Sequence, residues 1–454
     1  MQDNHRRHLF ETMPVSQAVA QMALPAIFSQ IIILIYNMAD TFFLGQVNNP
    51  YMVAGASLIL PVFNISASLS GLAGVGGGAL ISRLLGEGRE DEARKASSFS
   101  LLLAMGGAAL FSLLMLVLMQ PVLRLLGASE NTLHYARQYA LCVIVLGSMP
   151  TVLSNVMANL LRSTGESRRA GFGIAMGGII NILLDPLMMF VLLPRGCEVL
   201  GAGIATLLSN CIACSYFLVA ILKSGRQSVI RFGLAMPQGR HIRSIFSVGI
   251  PSAVATLLFD IDYIVLDKLM AGYGDIALAA IGIVLKAERL PLNVGIGLCQ
   301  GMMPIVAYNY AAGNRRRMQD TIRFSLTAGL IVGALSIAMY ELLAPGIMAL
   351  FIRDAQTILL GSDFLRVRCL ATPLMFSSFF TVYVFQGFGR GRVSLFLGVM
   401  RWCAFNIPML FILGRLMGMY GLVWAQLTAD ILTVTLSFAV YRYHTKKLFA
   451  SMHE

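Results

Sequence analysis

Charge is scarce in this chain, and its scarcity excludes more than any other feature. Asp, Glu, Lys and Arg make up 12 % of the 454 residues and hydrophobic residues 57 %, with a mean hydropathy of +0.75. A soluble globular domain carries about a quarter charged residues, so the chain reads as a polytopic membrane protein. It has no glycine-rich P-loop, which removes direct drive by ATP. Asp260-Ile-Asp262 is not accompanied by a paired DDxxD or an HxxxxD motif, so a membrane prenyl or acyl transferase has little to stand on and no enzymatic activity is expected. Cys211-Ile-Ala-Cys214 has CxxC spacing but lies in an apolar run without a second pair or a histidine, and reads as packing. No cleavable signal is expected, because the apolar run after His5-Arg6-Arg7-His8 is too long for a signal h-region.

What the chain does have is apolar runs. They fall at 14–45, 51–82, 95–124, 134–162, 170–194, 199–223, 243–269, 275–312, 321–352, 364–389, 393–416 and 420–443, each long enough for the roughly 20 residues that cross a bilayer as helix. The fold expected is an all-α integral membrane protein of twelve transmembrane helices. An even number places both termini on one side. The loops on that side hold 23 Lys and Arg, in clusters such as Arg83/Arg89/Arg94/Lys95 and Lys223/Arg226/Arg231/Arg240/Arg243, against 8 on the other. By the positive-inside rule both termini are cytoplasmic in the plasma membrane. The same distribution accounts for the net charge of +12 without a nucleic-acid partner.

The two halves repeat each other. Gly86-Glu-Gly-Arg89 after the second run is answered about 227 residues later by Gly313-Asn-Arg-Arg316 after the eighth. Pro25 is answered by Pro251, Pro150 by Pro373, Leu161-Arg-Ser-Thr-Gly165 by Phe385-Gln-Gly-Phe-Gly389, and Asn181-Ile182 by Asn406-Ile407. Six helices per half make a parallel repeat about an axis along the membrane normal. The expected units are a bundle over 1–223, a cytoplasmic linker over 224–243 and a second bundle over 244–454, facing each other across a central cleft.

The candidate site begins on the first helix. No charge occurs from Thr12 to Ala39; then Asp40 arrives within the same apolar segment, where a carboxylate needs a wet cavity or partners. Tyr36 lies one turn earlier on the same face, and Pro25 further back offers a place to bend. With a rise of about 1.5 Å per residue, Asp40 lies roughly 8 Å from the outer end of its helix, Thr206 roughly 10 Å, and Asn181 and Asp185 roughly 14–20 Å. These residues can share one pocket in the first bundle, suited to a proton or, through their oxygens, to a hard cation such as Na+. In the second half, Asp260, Asp262 and Asp267 lie on the seventh helix and Lys286, Glu288 and Arg289 on the eighth. Ion pairing, for example Asp260 with Lys286, is one reading; the other has Glu288 and Asp262 lining the cleft to attract cationic substrate.

Leu24-Pro25 with Asp40-Thr-Phe-Phe-Leu-Gly45, the glycine-rich second helix ending Ser82-Arg-Leu-Leu-Gly86, Leu161-Arg-Ser-Thr-Gly165, Asn181-Ile-Leu-Leu-Asp185 and Gly201-Ala-Gly-Ile-Ala-Thr206 stand in the order found in one family. Together they resemble the multidrug and toxic compound extrusion (MATE) family, from about Pro14 to Tyr441. The resemblance implies a monomeric antiporter that expels cationic or amphiphilic compounds against H+ or Na+, with no other cofactor. It also adds Asn155 as a polar family position. Cys369 to Gly389 contains no acid, which fits the DinF-like or a closely allied branch, in which the first-helix aspartate carries coupling. The rival within the superfamily is a lipid-linked oligosaccharide flippase, which needs several cleft arginines. Only Lys286, Arg289 and Arg401 fall well inside apolar runs, fewer than the acids there.

The loop charges generate a direct test. Reporters fused after Glu454 and inserted within Asn48–Pro50 are expected to report cytoplasm and exterior respectively, and the reverse pattern sinks the topology.

Overall fold

The computed structural model describes residues 2–47, 49–225, 228–233 and 237–450; Asn48 of the first loop and Arg226 of the linker lie outside the described residues. Among those described there are helices and no strands. Ten helices are long and apolar enough to cross a membrane, and two pairs bent by 45° and 47° bring the number to twelve. In the first half they are α1 (Val15–Gln46), α2 (Pro50–Gly86), α3 (Glu90–Leu125), α4 (Glu130–Leu146 and Ser148–Ser163), α5 (Ser167–Leu192) and α6 (Glu198–Lys223). The second half holds α7 (Gly239–Ala271), α8 (Asp275–Ala311), α9 (Arg315–Phe351), α10 (Ala355–Cys369 and Thr372–Gly387), α11 (Gly391–Met417) and α12 (Met419–Ala450). All twelve expected runs are present, but α9 and α10 begin well before 321 and 364. Hydropathy registers the thickness of the bilayer, whereas a helix continues until something caps it. Asn314 and Asp354 do so here, accepting the amides of Arg317 and Thr357.

The repeat is written into the turns. Gly88, Gly165, Gly313 and Gly389 have φ of +73°, +90°, +74° and +71°, a region that costs a side chain but not glycine. The next residue in each case closes the same bond: Arg89 N–H to Leu84 O, Glu166 to Leu161, Asn314 to Asn309 and Arg390 to Phe385, at 2.8–2.9 Å. The turn geometry therefore pairs Gly313 with Gly88 rather than with Gly86, a two-residue correction to the register read from sequence.

Three large hydrophobic cores divide the molecule. One contains only first-half residues, such as Met52, Met119, Tyr139 and Met189. A second contains only residues of the other half, such as Leu266, Met348, Phe364 and Leu422. The third mixes both, with Leu9, Phe10, Leu80 and Ile81 against Leu298, Met302, Ile305 and Phe385. The mixed core lies toward the end that carries both termini, and the separate cores lie at the far end. The two bundles are thus joined through the mixed core at the end that carries the termini. Large apolar side chains such as Leu125, Leu342 and Leu350 stand exposed on the outside, as lipid-facing residues do.

Glycine lets the joined end close. The added methyl of an alanine at Gly297 or Gly301 of α8 would sit 2.5–2.6 Å from backbone atoms of Ile27 or Ala23 of α1. Gly249 of α7 meets Leu72 O of α2 at 2.1 Å in the same sense, and Gly86 meets Tyr308 O at 2.2 Å. On its other side α1 lies against α5, where Gly171 would meet the Pro25 carbonyl at 2.5 Å. Gly171→Ala is therefore expected to lower stability by about 1–3 kcal/mol, read as a lower melting point of the purified protein. Gly106→Ala, with nothing within 4 Å, should leave it unchanged or raise it slightly.

Candidate functional site

Four helices of the first bundle meet where the sequence places its carboxylates. Each contact is made possible by a missing side chain. Gly178 of α5 faces Ile32 and Tyr36 of α1, Gly203 of α6 faces Tyr139 and Cys142 of α4, and Gly201 packs on the Met188 carbonyl of α5. Two of these helices leave regular α geometry nearby, with π-helical turns at Leu141–Leu146 in α4 and Leu187–Leu192 in α5, a feature frequent at functional sites.

The result brings Tyr36, Asp40, Asn181, Asp185 and Thr206 into one cluster. Asn181 Nδ2 donates to Asp185 Oδ1 at 3.3 Å and to Thr206 Oγ1 at 3.5 Å. Asp185 is 0 % exposed and Asn181 3 %. Tyr36 lies within electrostatic reach of both carboxylates. Tyr139, buried on α4, faces Asp40 and Thr206 and completes the cluster. Sequence reasoning misses Tyr139, although it sits in the outer part of the fourth run, at the depth of the other members. Asn155 is not drawn in: it donates to Thr151 O of its own helix, and together with Asn159 and Arg162 it lines another stretch of α4. Pro25 lies within an uninterrupted α1, so the structure holds that helix in one piece.

Two oxygens in the cluster stand out. Asp40 Oδ1 and Asp185 Oδ2 are buried and have no hydrogen-bond partner among the described residues. Two carboxylates facing one another in a poorly screened interior repel, and a proton or a small cation relieves that repulsion. The donor set is oxygen throughout, from two carboxylates, an amide and hydroxyls, which suits a hard monovalent ion. Among the described residues there is no cluster of three His, Cys, Asp or Glu to hold a transition metal.

The second bundle uses its polar residues differently. Glu288 is held by Arg368 through two bonds of 2.8 and 2.9 Å, Arg368 also donates to Gln426 at 3.0 Å, and Gln426 donates to Asp430 at 3.2 Å. Arg401 lies 3.0 Å from Asp430 and 4.4 Å over the rings of Phe379 and Trp402. Asp262 accepts from Asn406 at 2.6 Å. Glu288 and Asp262, expected at the cleft, are thus buried and engaged within their bundle. No Asp260–Lys286 ion pair forms among the described residues. Lys286 and Arg289 are exposed, whereas Arg162 and Arg368 are buried. For Arg368, counted with the outer-loop arginines because it stands only five residues into the tenth run, the cause is simple: α10 begins at Ala355, so Arg368 lies well inside the span.

A family model described as MatE matches residues 25–187 and 251–412, each segment beginning at one of the paired prolines. The chain belongs to the MatE family. It is a multi-pass membrane transporter and not an enzyme. The multidrug export protein MepA of Staphylococcus aureus (strain MSSA476) is 30 % identical over 429 residues, covering 94 % of this chain and 93 % of MepA. A solved structure described as the outward-facing conformation of a multidrug resistance MATE family transporter of the MOP superfamily superimposes with a TM-score of 0.92 at 22 % identity, over 98 % of both chains. A MATE in the straight conformation gives 0.91 at 23 % identity, over 98 % of this chain and 99 % of the other. The fold of this MatE protein is thereby established as the two-lobed one.

The paired carboxylate in the second bundle gives a stability test. Glu288→Gln leaves the buried Arg368 without its bonded counter-charge, which is expected to cost about 3–5 kcal/mol, and Glu288→Leu with Arg368→Met should recover most of it. Thermal unfolding in detergent reads both. Undiminished stability in the single variant would mark Glu288 as free to meet a substrate.

Proposed function

We propose that this protein is a secondary antiporter of the plasma membrane, which exports cationic or amphiphilic compounds in exchange for H+ or Na+ by alternating access. The observation that carries the reading is the pair of unpartnered carboxylate oxygens on Asp40 and Asp185, buried in the wall of one bundle. Export of several drugs is what the name of the MepA relative states for that protein, and its likeness over nearly the whole of both chains supports a similar cargo here. The protein is taken to act as a monomer with both termini in the cytoplasm, which makes the far end the exterior.

In this mechanism the ion enters from outside and settles between Asp40 and Asp185, with Asn181, Thr206 and Tyr139 orienting the carboxylates. Asp40 is carried by α1, which also forms the joint with α8, so neutralising the carboxylate acts on the helix that closes the cytoplasmic end. Pro25 supplies a missing backbone bond where α1 can bend. An ion shifts such an equilibrium only by binding one state better than the other. The second bundle, with Glu288 and Asp430 held by Arg368 and Arg401, moves as a rigid partner.

The test imposes a pH gradient and a sodium gradient separately on proteoliposomes and follows dye efflux. Asp40→Asn, nearly isosteric but unable to ionise, is expected to reduce gradient-driven efflux to the passive leak while the protein still inserts and folds. Asp185→Asn should behave alike, and Pro25→Ala should slow turnover without abolishing ion binding. Normal transport by Asp40→Asn under both gradients would place coupling elsewhere.

A further inference from the structure

The residues before the first span are built into the joint. Residues Gln2–Arg7 and His8–Thr12 form a short helix whose last turn is π-helical. Leu9 and Phe10 are 0 % exposed. On one side the segment belongs to the first bundle: Arg6 pairs with Glu90 at the start of α3, and Leu9 and Phe10 rest on Gly165 in the α4–α5 turn. On the other side it is gripped by the second bundle. Asn309 Nδ2 donates to Phe10 O at 3.1 Å, Arg317 Nη2 donates to Leu9 O at 3.0 Å, and Arg317 Nε also donates to Phe10 O. Tyr308 donates its hydroxyl to Glu11, and its ring lies 5.0 Å from that of Phe10.

The last carbonyls of any helix have no partner within the helix and carry the negative end of its dipole. Here Arg317 and Asn309 supply that partner across the boundary between bundles. The cap on the leading helix exists only while the two bundles are together at this end.

We propose that the N-terminal segment is a clasp on the cytoplasmic gate, and that Arg317 is the positioning residue that fastens it. Opening the cytoplasmic end draws α8 and α9 away from Leu9 and Phe10, leaving two carbonyls and the Glu11 carboxylate without their partners and two large apolar side chains covered only on the first-bundle side. The clasp therefore weights the equilibrium toward the outward-open state and sets how readily the protein returns to collect cytoplasmic cargo. Substitutions in it are expected to change that balance although none touches the ion cluster or the cleft.

The proposal rests on alternating access, and the experiment separates the two. Spin labels at Arg168 and Arg316, both exposed on opposite bundles at this end, are placed in a background with the seven cysteines replaced, and their separation is measured by pulsed electron spin resonance. Arg317→Ala and Phe10→Ala are each expected to enlarge the population at long separation at least about threefold over the unsubstituted clasp. Arg317→Lys, which can reach one carbonyl but not fork to both, should fall between. By linkage, the ion that favours the outward-open state should bind more weakly by a matching factor. Unchanged distance distributions in folded variants overturn the clasp. If Arg317→Ala does not fold, Tyr308→Phe removes the Glu11 bond alone, and its distance distribution decides the question in the same way. An unsubstituted protein that never opens here under any gradient overturns alternating access instead.

Discussion

Backbone can approach backbone only where no side chain intervenes, and α1 is held on two sides by that condition. Gly171 and Gly178 of α5 admit Pro25 and Tyr36 from within the first bundle, while Gly297 and Gly301 of α8 admit Ile27 and Ala23 from the second. α8 is correspondingly the inner pillar: 72 % of its most apolar window is buried, against 22–39 % for the other nine single-helix spans. Contacts made by backbone and glycine have little interdigitation to resist sliding, yet they bury enough surface to be firm when in register. One face of α1 positions the carboxylate site and the other closes the joint. Site and joint are therefore parts of one element, which is what coupling requires.

The duplication explains why the Asp40–Asp185 cluster has no counterpart in the second bundle. Counting from the paired prolines, Tyr36 corresponds to Asp262 and Asp40 to Leu266. Counting from the paired asparagines, Asp185 corresponds to Leu410, and aligning Gly201 with Gly421 sets Thr206 opposite Gln426. Leu266 and Leu410 are both buried. The second bundle has apolar residues where the first has its acids, and places Glu288 and Asp430 at neighbouring positions where Arg368 and Arg401 neutralise them. Breaking such a buried pair is costly, while leaving it whole contributes little net stability. Glu288 and Asp430 with their arginines are thus fixed parts of that bundle's core.

Much of this is legible in the sequence, for reasons that differ by feature. Hydropathy finds twelve spans because the bilayer imposes one length on all of them. Asp40 and Asp185 are found because an acid within an apolar run is conspicuous. Tyr139 is not, because a tyrosine near a membrane interface is unremarkable until a carboxylate is seen facing it. The misplacement of Arg368 has the same origin as the early start of α10, since hydropathy draws a boundary where polarity rises and the helix does not end there. The glycine register slips from Gly88 to Gly86 because both letters are alike and only the φ angle distinguishes them. The clasp is invisible because its bonds run from side chains to the carbonyls of Leu9 and Phe10, and carbonyls leave no mark in a sequence.

The magnitudes also say why carboxylates suit the proposed ion site. Moving a two-state equilibrium from one part in a hundred to its mirror image takes about 5.5 kcal/mol of differential affinity. A single neutral hydrogen bond contributes about 1 kcal/mol net, so hydroxyls and amides alone at this site could not drive such a change. Two unit charges 4 Å apart interact by about 4 kcal/mol at the effective dielectric of a protein interior near its surface. Charge interactions are therefore of the same order as the shift required, where a single hydrogen bond is not. The 17 helical steps from Ala23 to Asp40 span about 25 Å at the helical rise, and α1 crosses that distance without a break. A change of this size at one end of a continuous helix is transmitted whole unless the helix yields, and the position where its backbone bonding is already incomplete is Pro25.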